Sequence, residues 1–164
     1  MSVAVYPGSF DPVTMGHLDV VERAAGLFER VVIAVLANPR KAPLLVTEER
    51  VAIIRRSVDE QLGPAARRID VATFDGLTVE FCRARGARFI VRGLRVVSDF
   101  EAELQLAHNN RRLAPDVDTV FFMTALEHGY VSSTLVKEIA QFGGDVSAMV
   151  PPAAVEALQA VLRR

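Results

Sequence analysis

The chain has 164 residues, 51% of them hydrophobic and 24% charged, with a formal net charge of −1. That is one domain's length in an ordinary soluble composition, enough to bury about two thirds of its unfolded surface without staples. A balance this close to neutral argues against a phosphate-tracking nucleic-acid binder, which would be visibly basic.

The opening run over 3–6 reads as a short strand closed by Pro7-Gly8, with no basic segment before it, so no secretory leader is expected. A loop over 9–15 leads into a helical pattern from Gly16, with Leu18, Val21 and Ala25 on one face. Residues 31–36 form a continuous apolar run of strand length, the mark of a strand buried on both faces and far short of the roughly 20 residues a membrane span needs. Thr47 before Glu48 and Glu49 reads as the N-cap of a helix reaching about Glu60. A strand over 69–74, a helix over 77–84, a strand over 88–91 and a longer helix over 99–112 follow. The run 118–123 is the fifth strand, Ser132 or Ser133 caps a helix to Gln141, and Pro151-Pro152 opens a last helix. Cys82 is the only cysteine, so no intramolecular disulfide is possible and a reducing, cytoplasmic setting is expected.

Five βα repeats without a linker predict a single domain over 1–164: an α/β fold with a doubly wound, five-stranded parallel sheet and an extra C-terminal helix. In such folds ligands sit outside the carboxyl ends of the strands, where the winding reverses. The loops over 9–15, 37–46, 93–98 and 124–131 are therefore where chemistry is expected.

Several signatures are missing. No G-x-G-x-x-G follows the first strand, Gly16 is not followed by Lys-Ser/Thr, no G-x-S-x-G occurs, and the histidines and Cys82 lack metal-ligand spacing. What stands out is the first loop, Gly8-Ser9-Phe10-Asp11-Pro12-Val13-Thr14-Met15-Gly16-His17. Gly16 allows close approach to a helix start whose N–H groups favour an anion. His17, in the first turn, is placed to donate to an oxygen that gains charge in a transition state. The bland alternative is a pair of turn glycines and a half-buried histidine.

The motif Gly8-Ser9-Phe10-Asp11-Pro12 with Thr14-Met15-Gly16-His17 resembles the T/H-x-G-H signature of the nucleotidyltransferase superfamily. Arg92-Gly93-Leu94-Arg95, Asp99-Phe100-Glu101, Gln105-Leu106-Ala107-His108-Asn109-Asn110 and Val131-Ser132-Ser133-Thr134-Leu135-Val136-Lys137 narrow the resemblance to bacterial phosphopantetheine adenylyltransferases. These motifs run in order over essentially the whole chain. The resemblance implies a Rossmann-like nucleotidyltransferase fold. It also implies ATP and 4′-phosphopantetheine as substrates, dephospho-coenzyme A and pyrophosphate as products, and Mg²⁺ as cofactor. A homohexamer and feedback inhibition by coenzyme A are implied as well, with no dedicated protein cage for the metal.

Carried over residue by residue, the resemblance makes His17 catalytic. Ser9, Phe10, His17, Gly93, Leu94, Arg95, Glu103 and the run His128-Gly129-Tyr130-Val131-Ser132-Ser133-Thr134 are implied to bind ATP. Ser9, Lys41, Thr78 and Arg92 are implied to bind the acceptor. The residues themselves offer independent reasons. Lys41 is a flexible ammonium in the loop after the second strand. Arg92 and Arg95 leave a buried strand with planar forks that match phosphate oxygens, although salt bridges to Asp99 or Glu103 are the bland reading. Ser132, Ser133 and Thr134 supply hydroxyls at a helix start, where an ordinary serine N-cap is the alternative. Cys82 and His108 read as structural.

Two rivals remain at this point. Nicotinate- or nicotinamide-mononucleotide adenylyltransferases and cytidylyltransferases share the Gly-His signature, but they usually carry histidine where this chain has Thr14. A non-catalytic nucleotide-binding module would need the phosphate loop but not a second anion site.

Overall fold

The computed structural model describes residues 2–37 and 42–163. Five strands form one parallel sheet: β1 (Val3–Gly8), β2 (Arg30–Leu36), β3 (Ile69–Phe74), β4 (Phe89–Leu94) and β5 (Asp118–Met123). Four helices make the crossovers: α1 (Met15–Leu27), α2 (Thr47–Gln61), α3 (Thr78–Ala84) and α4 (Val97–Leu113). After β5 come α5 (Ser133–Gln141) and α6 (Pro152–Leu162). The order across the sheet is β3-β2-β1-β4-β5, the doubly wound α/β architecture that the alternation predicts.

The strand period of two sorts the apolar side chains into two layers. Ala4, Tyr6, Val31, Ile33 and Val35 join one core with Leu18, Val21, Ile54 and Leu158 from α1, α2 and α6. Val5, Val32, Ala34 and Ile90 face the other way, onto Val79 and Cys82 of α3. Cys82 is fully buried there, and burial pushes its thiol up to about 12, consistent with a structural rather than nucleophilic role.

The winding reverses between β1 and β4. These strands pair at only two positions, Ala4 with Phe89 and Val5 with Ile90, whereas β1–β2, β2–β3 and β4–β5 each pair at six. Past Val5 the backbone groups of the two central strands no longer bond to each other. Instead the Pro7 carbonyl accepts from Arg92 Nη1 at 3.1 Å. A crevice therefore opens at the carboxyl end of the sheet, where ligands of such folds sit.

Several boundaries differ from the sequence reading, beginning with β1, which takes in Pro7 and Gly8 through its pairing with β2. β4 runs to Leu94, so Arg92 and Gly93 lie inside the strand rather than past it. The ladder to Phe121, Phe122 and Met123 of β5 extends it beyond its own apolar run. α4 starts at Val97 rather than Asp99. The N-cap of α2 is Val46, whose N–H donates to Glu49 Oε2 at 3.2 Å, while the Thr47 hydroxyl accepts from Arg50 at 2.9 Å. A 3₁₀ turn at Gly63–Arg68, with no strong periodic signal, was not anticipated.

Candidate active site

The loop from Gly8 to the head of α1 folds around His17. Thr14 is the N-cap of α1, and its hydroxyl accepts the His17 N–H at 3.3 Å. In return the Thr14 N–H donates to His17 Nδ1 at 3.0 Å. Because Nδ1 accepts, the neutral ring carries its proton on Nε2. Burial, followed by the Arg95 and Arg92 charges, pulls the imidazole down to about 4, so His17 is neutral near pH 7. Its ring stands edge-on to Phe10 and Tyr6, with centroids 5.0 and 6.2 Å away. Phe10 itself is held at φ 49°, a strained value for a non-glycine residue, and a Cβ on Gly8 would meet its ring at 3.0 Å.

The helix start offers fewer free donors than the sequence implies. Met15 N–H donates to the Met149 carbonyl at 2.9 Å, and those of Thr14 and His17 are engaged as described. Among the described residues, Gly16 N–H is the one left in that turn without an acceptor. It borders the cleft together with His17.

The cleft holds about 550 Å³ and runs between the carboxyl ends of β1 and β4. Arg92 and Arg95 line one wall beside Gly93. Both are paired as the bland reading allowed. Arg92 donates to both oxygens of Glu103 at 2.7 and 2.5 Å; Arg95 donates to Asp99 at 3.0 Å and to the Val131 carbonyl at 2.9 Å. Burial works against the Arg92 charge, but the Glu103 hydrogen bonds outweigh it and hold the group above its ordinary value. Both arginines keep guanidinium donors to spare. Gly93 is the close-approach position of this wall, since a Cβ there would meet Val20 at 3.1 Å and Thr124 at 3.5 Å.

Of the other sequence-predicted residues, Ser9, Phe10, Glu103, Val131, Ser132, Ser133 and Thr134 line the cleft. Ser132 is the N-cap of α5, accepting from Leu135 N–H at 3.1 Å, and the Ser133 hydroxyl donates to the Pro12 carbonyl at 2.8 Å. Leu94, Thr78, His128, Gly129 and Tyr130 do not line it. Leu94 turns into the interior, Thr78 begins α3, and Tyr130 is almost fully exposed beside the 3₁₀ turn Leu126–His128. Lys41 lies outside the described residues.

The cleft also contains residues that sequence reasoning did not single out. Asp11 is buried, and its carboxylate accepts from Leu44 N–H, Leu45 N–H and Lys137 Nζ at 3.0, 2.9 and 2.8 Å. Burial pushes the Asp11 carboxyl up, but Lys137 and the two amides outweigh this and hold it below its ordinary value. Arg50 of α2 is buried as well, and Tyr6 and Thr124 also line the cleft. Asp11 and Lys137 were visible within the quoted motifs. Their pairing spans 126 residues of sequence and leaves no local signal.

Among the described residues, no three or more His, Cys, Asp and Glu side chains gather into a metal cage. The cleft carboxylates Glu103 and Asp99 are each committed to an arginine. Such a donor set suits a cation carried on ligand phosphates rather than one held by protein alone. No described helix is long and apolar enough to cross a membrane.

Comparison with known proteins agrees with this geometry. The cytidylyltransferase-like family model matches residues 5–139. The Plasmodium falciparum nicotinic acid mononucleotide adenylyltransferase complexed with NaAD superposes with TM-score 0.74, covering 97% of this chain and 95% of that one, and the same enzyme complexed with APC with TM-score 0.75, covering 97% and 94%. Identity is 12% in both, so these two establish the fold alone. The chain belongs to the cytidylyltransferase-like nucleotidyltransferases. A phosphopantetheine adenylyltransferase of Synechococcus sp. (strain JA-3-3Ab) is 54% identical over 157 residues, 96% of each chain. That of Heliobacterium modesticaldum is 54% identical over 153 residues, 93% of this chain and 88% of its own. Within the class, this chain is a member of the phosphopantetheine adenylyltransferase family.

Proposed function

We propose that the protein transfers the adenylyl group of ATP to 4′-phosphopantetheine, giving dephospho-coenzyme A and pyrophosphate, a step of coenzyme A synthesis. The observation that carries this reading is His17: a neutral imidazole, fixed with its proton on Nε2, at a cleft that two arginines border.

The acceptor's phosphate is the nucleophile. One of its oxygens forms a bond to the α-phosphorus of ATP while the bond to the β-phosphate bridging oxygen breaks and pyrophosphate departs. A phosphate dianion is already deprotonated near pH 7, so no general base is required. Catalysis is positioning and charge stabilisation. His17 Nε2–H donates to an oxygen of the congested α-phosphate. A histidine pulled down to about 4 serves as a donor without carrying a charge of its own.

Arg92, with Lys41 and Ser9, holds the attacking phosphate, and Thr78 borders the pantetheine arm. Arg95 and the α5 start at Ser132, Ser133 and Thr134 take the departing pyrophosphate. Phe10, Gly93, Glu103 and Val131 of the cleft wall surround the nucleotide; Leu94 and the 128–130 segment are assigned to it by the motif alone. Ser132 donates through its hydroxyl proton, which its cap bond leaves free. Ser133 must release the Pro12 carbonyl before it donates to a ligand. The cleft side chains would leave Mg²⁺ to the substrates themselves, and when bound it would supply neutralisation of phosphate charge.

Self-association into a hexamer, inhibition by coenzyme A and a cytoplasmic location complete the reading. None of the described α4 side chains is buried, and Phe100, Leu104, Leu106 and Leu113 are exposed there, apolar surface that supports assembly. Sedimentation across a dilution series measures the assembly. The decisive test of activity supplies ATP, Mg²⁺ and 4′-phosphopantetheine and identifies the product by mass. Dephospho-coenzyme A is expected; its absence, with turnover on a mononucleotide instead, overturns the acceptor assignment.

A further inference from the structure

Among the described residues, four cationic side chains line the cleft: Arg50, Arg92, Arg95 and Lys137. Three of them are matched one to one by carboxylates, Arg92 by Glu103, Arg95 by Asp99 and Lys137 by Asp11. Arg50 has no carboxylate within ion-pair distance among the described residues, although it is one of the most buried charged groups in the molecule. A buried cation without a counter-ion is costly and persists where geometry compensates it.

The compensation is a set of backbone carbonyls. Nη1 donates to the Ser9 carbonyl at 2.6 Å and the Leu36 carbonyl at 3.1 Å; Nε donates to the Leu45 carbonyl at 3.1 Å. Nη2 donates to the Thr47 hydroxyl at 2.9 Å. One fork thus joins the loop after β1, the end of β2 and the approach to α2. Leu36 and Leu45 flank the stretch of sequence that contains Lys41. The Leu45 peptide is held at both ends, its carbonyl by Arg50 and its N–H by Asp11 at 2.9 Å. All four acceptors belong to the β1–β2–α2 side of the crevice.

We propose that Arg50 is a positioning residue for the acceptor half of the reaction: its guanidinium fixes the Ser9 peptide and both flanks of the 37–44 stretch, so that the attacking phosphate is held in line. The inference rests on the transfer reaction assigned above. A planar fork with fixed donor directions does this, and an ammonium on a flexible stem reaches fewer of the four acceptors. Apart from Ser9, which both substrates share, the residues assigned to ATP make no hydrogen bond to Arg50.

The test compares Arg50→Lys and Arg50→Met with the wild-type chain in the dephospho-coenzyme A assay, varying ATP and 4′-phosphopantetheine separately. Thermal unfolding of each variant establishes that it folds. Arg50→Lys, which keeps the charge and loses the fork, is expected to lower kcat/KM for 4′-phosphopantetheine about tenfold or more, with KM for ATP within about threefold. Arg50→Met is expected to lose at least as much again. A purely structural role would move both substrates together. Arg50→Lys with wild-type acceptor kinetics, or equal losses toward both substrates, overturns the assignment of Arg50 alone. A wild-type chain that makes no dephospho-coenzyme A overturns the transfer reaction and this inference with it. Should Arg50→Met not fold, Arg50→Lys decides.

Discussion

Thr14 and His17 hold each other in a closed exchange at the head of α1: the Thr14 N–H donates to His17 Nδ1 at 3.0 Å and the His17 N–H donates to the Thr14 hydroxyl at 3.3 Å. The exchange fixes which imidazole nitrogen is the donor. His17→Ala is expected to reduce kcat by about two orders of magnitude or more, with modest change in either KM, because the lost bond strengthens in the transition state. Thr14→Val keeps the N–H and loses the cap, so stability falls by about 1 kcal/mol and kcat falls less than in His17→Ala. Steady-state kinetics and urea unfolding measure both; a His17→Ala chain with near-normal turnover removes the role given to the imidazole.

Acid stability follows from the same imidazole. Its folded value of about 4 lies below the ordinary 6.5, so between these limits the unfolded chain binds a proton that the folded chain does not. Stability therefore rises as pH climbs from about 4 to 6.5 and is level above. At about 1.4 kcal/mol per pH unit, the His17 share of this rise is about 3.5 kcal/mol at most. His17→Asn removes that share. Urea midpoints of the two chains at pH 4.5 and pH 7 check it, and parallel losses on acidification would contradict it.

The Lys137–Asp11 pair predicts a different acid response. Lys137→Met leaves the Asp11 carboxylate buried with only the Leu44 and Leu45 amides, at a cost of about 2 kcal/mol after allowance for the partly exposed lysine. In the wild type, Asp11 contributes stability above its ordinary value of 3.8 that is lost as pH falls through its depressed folded value. Without Lys137 the burial penalty is less opposed, and the loss begins at higher pH. Denaturant titrations from pH 3 to pH 7 on both chains follow the shift; identical acid midpoints argue against it.

Gly93→Ala adds a methyl group 3.1 Å from Val20 and 3.5 Å from Thr124, in the wall of the cleft. The expected cost is about 1–2 kcal/mol from overpacking. Turnover is expected to fall further than stability alone would cause, since the same wall carries Arg92 and Arg95. Val20→Ala makes room for the methyl and is expected to return part of the stability. A Gly93→Ala chain as stable and active as wild type shows that the wall yields.

Much of this was legible in the residues. The βα rhythm fixed strand number, direction and winding because continuous apolar runs and helical periodicity are local signals. The first loop announced its chemistry because glycine spacing and a first-turn histidine lie within ten residues. What escaped depended on long-range neighbours. β4 gained Arg92 and Gly93 only through its ladder with β5, 29 residues away. Arg50 looked like any arginine on a charged helix face until Ser9, 41 residues upstream, came to meet it. Thr47 looked like a cap, but Arg50 takes its hydroxyl and Glu49 takes over the cap N–H. His128, Gly129 and Tyr130 were carried by motif position alone, and the cleft does not include them.

The two-rung join between β1 and β4 has a mechanical result. The sheet is two half-sheets, β3-β2-β1 and β4-β5, almost unstitched at the end where reactants meet. A nucleotide and an acceptor lying across that seam lace the halves together with bonds the main chain omits. Amide exchange at Tyr6, Gly8 and residues 91–93 would then slow on occupancy, making the backbone itself a gauge of whether both reactants are aboard.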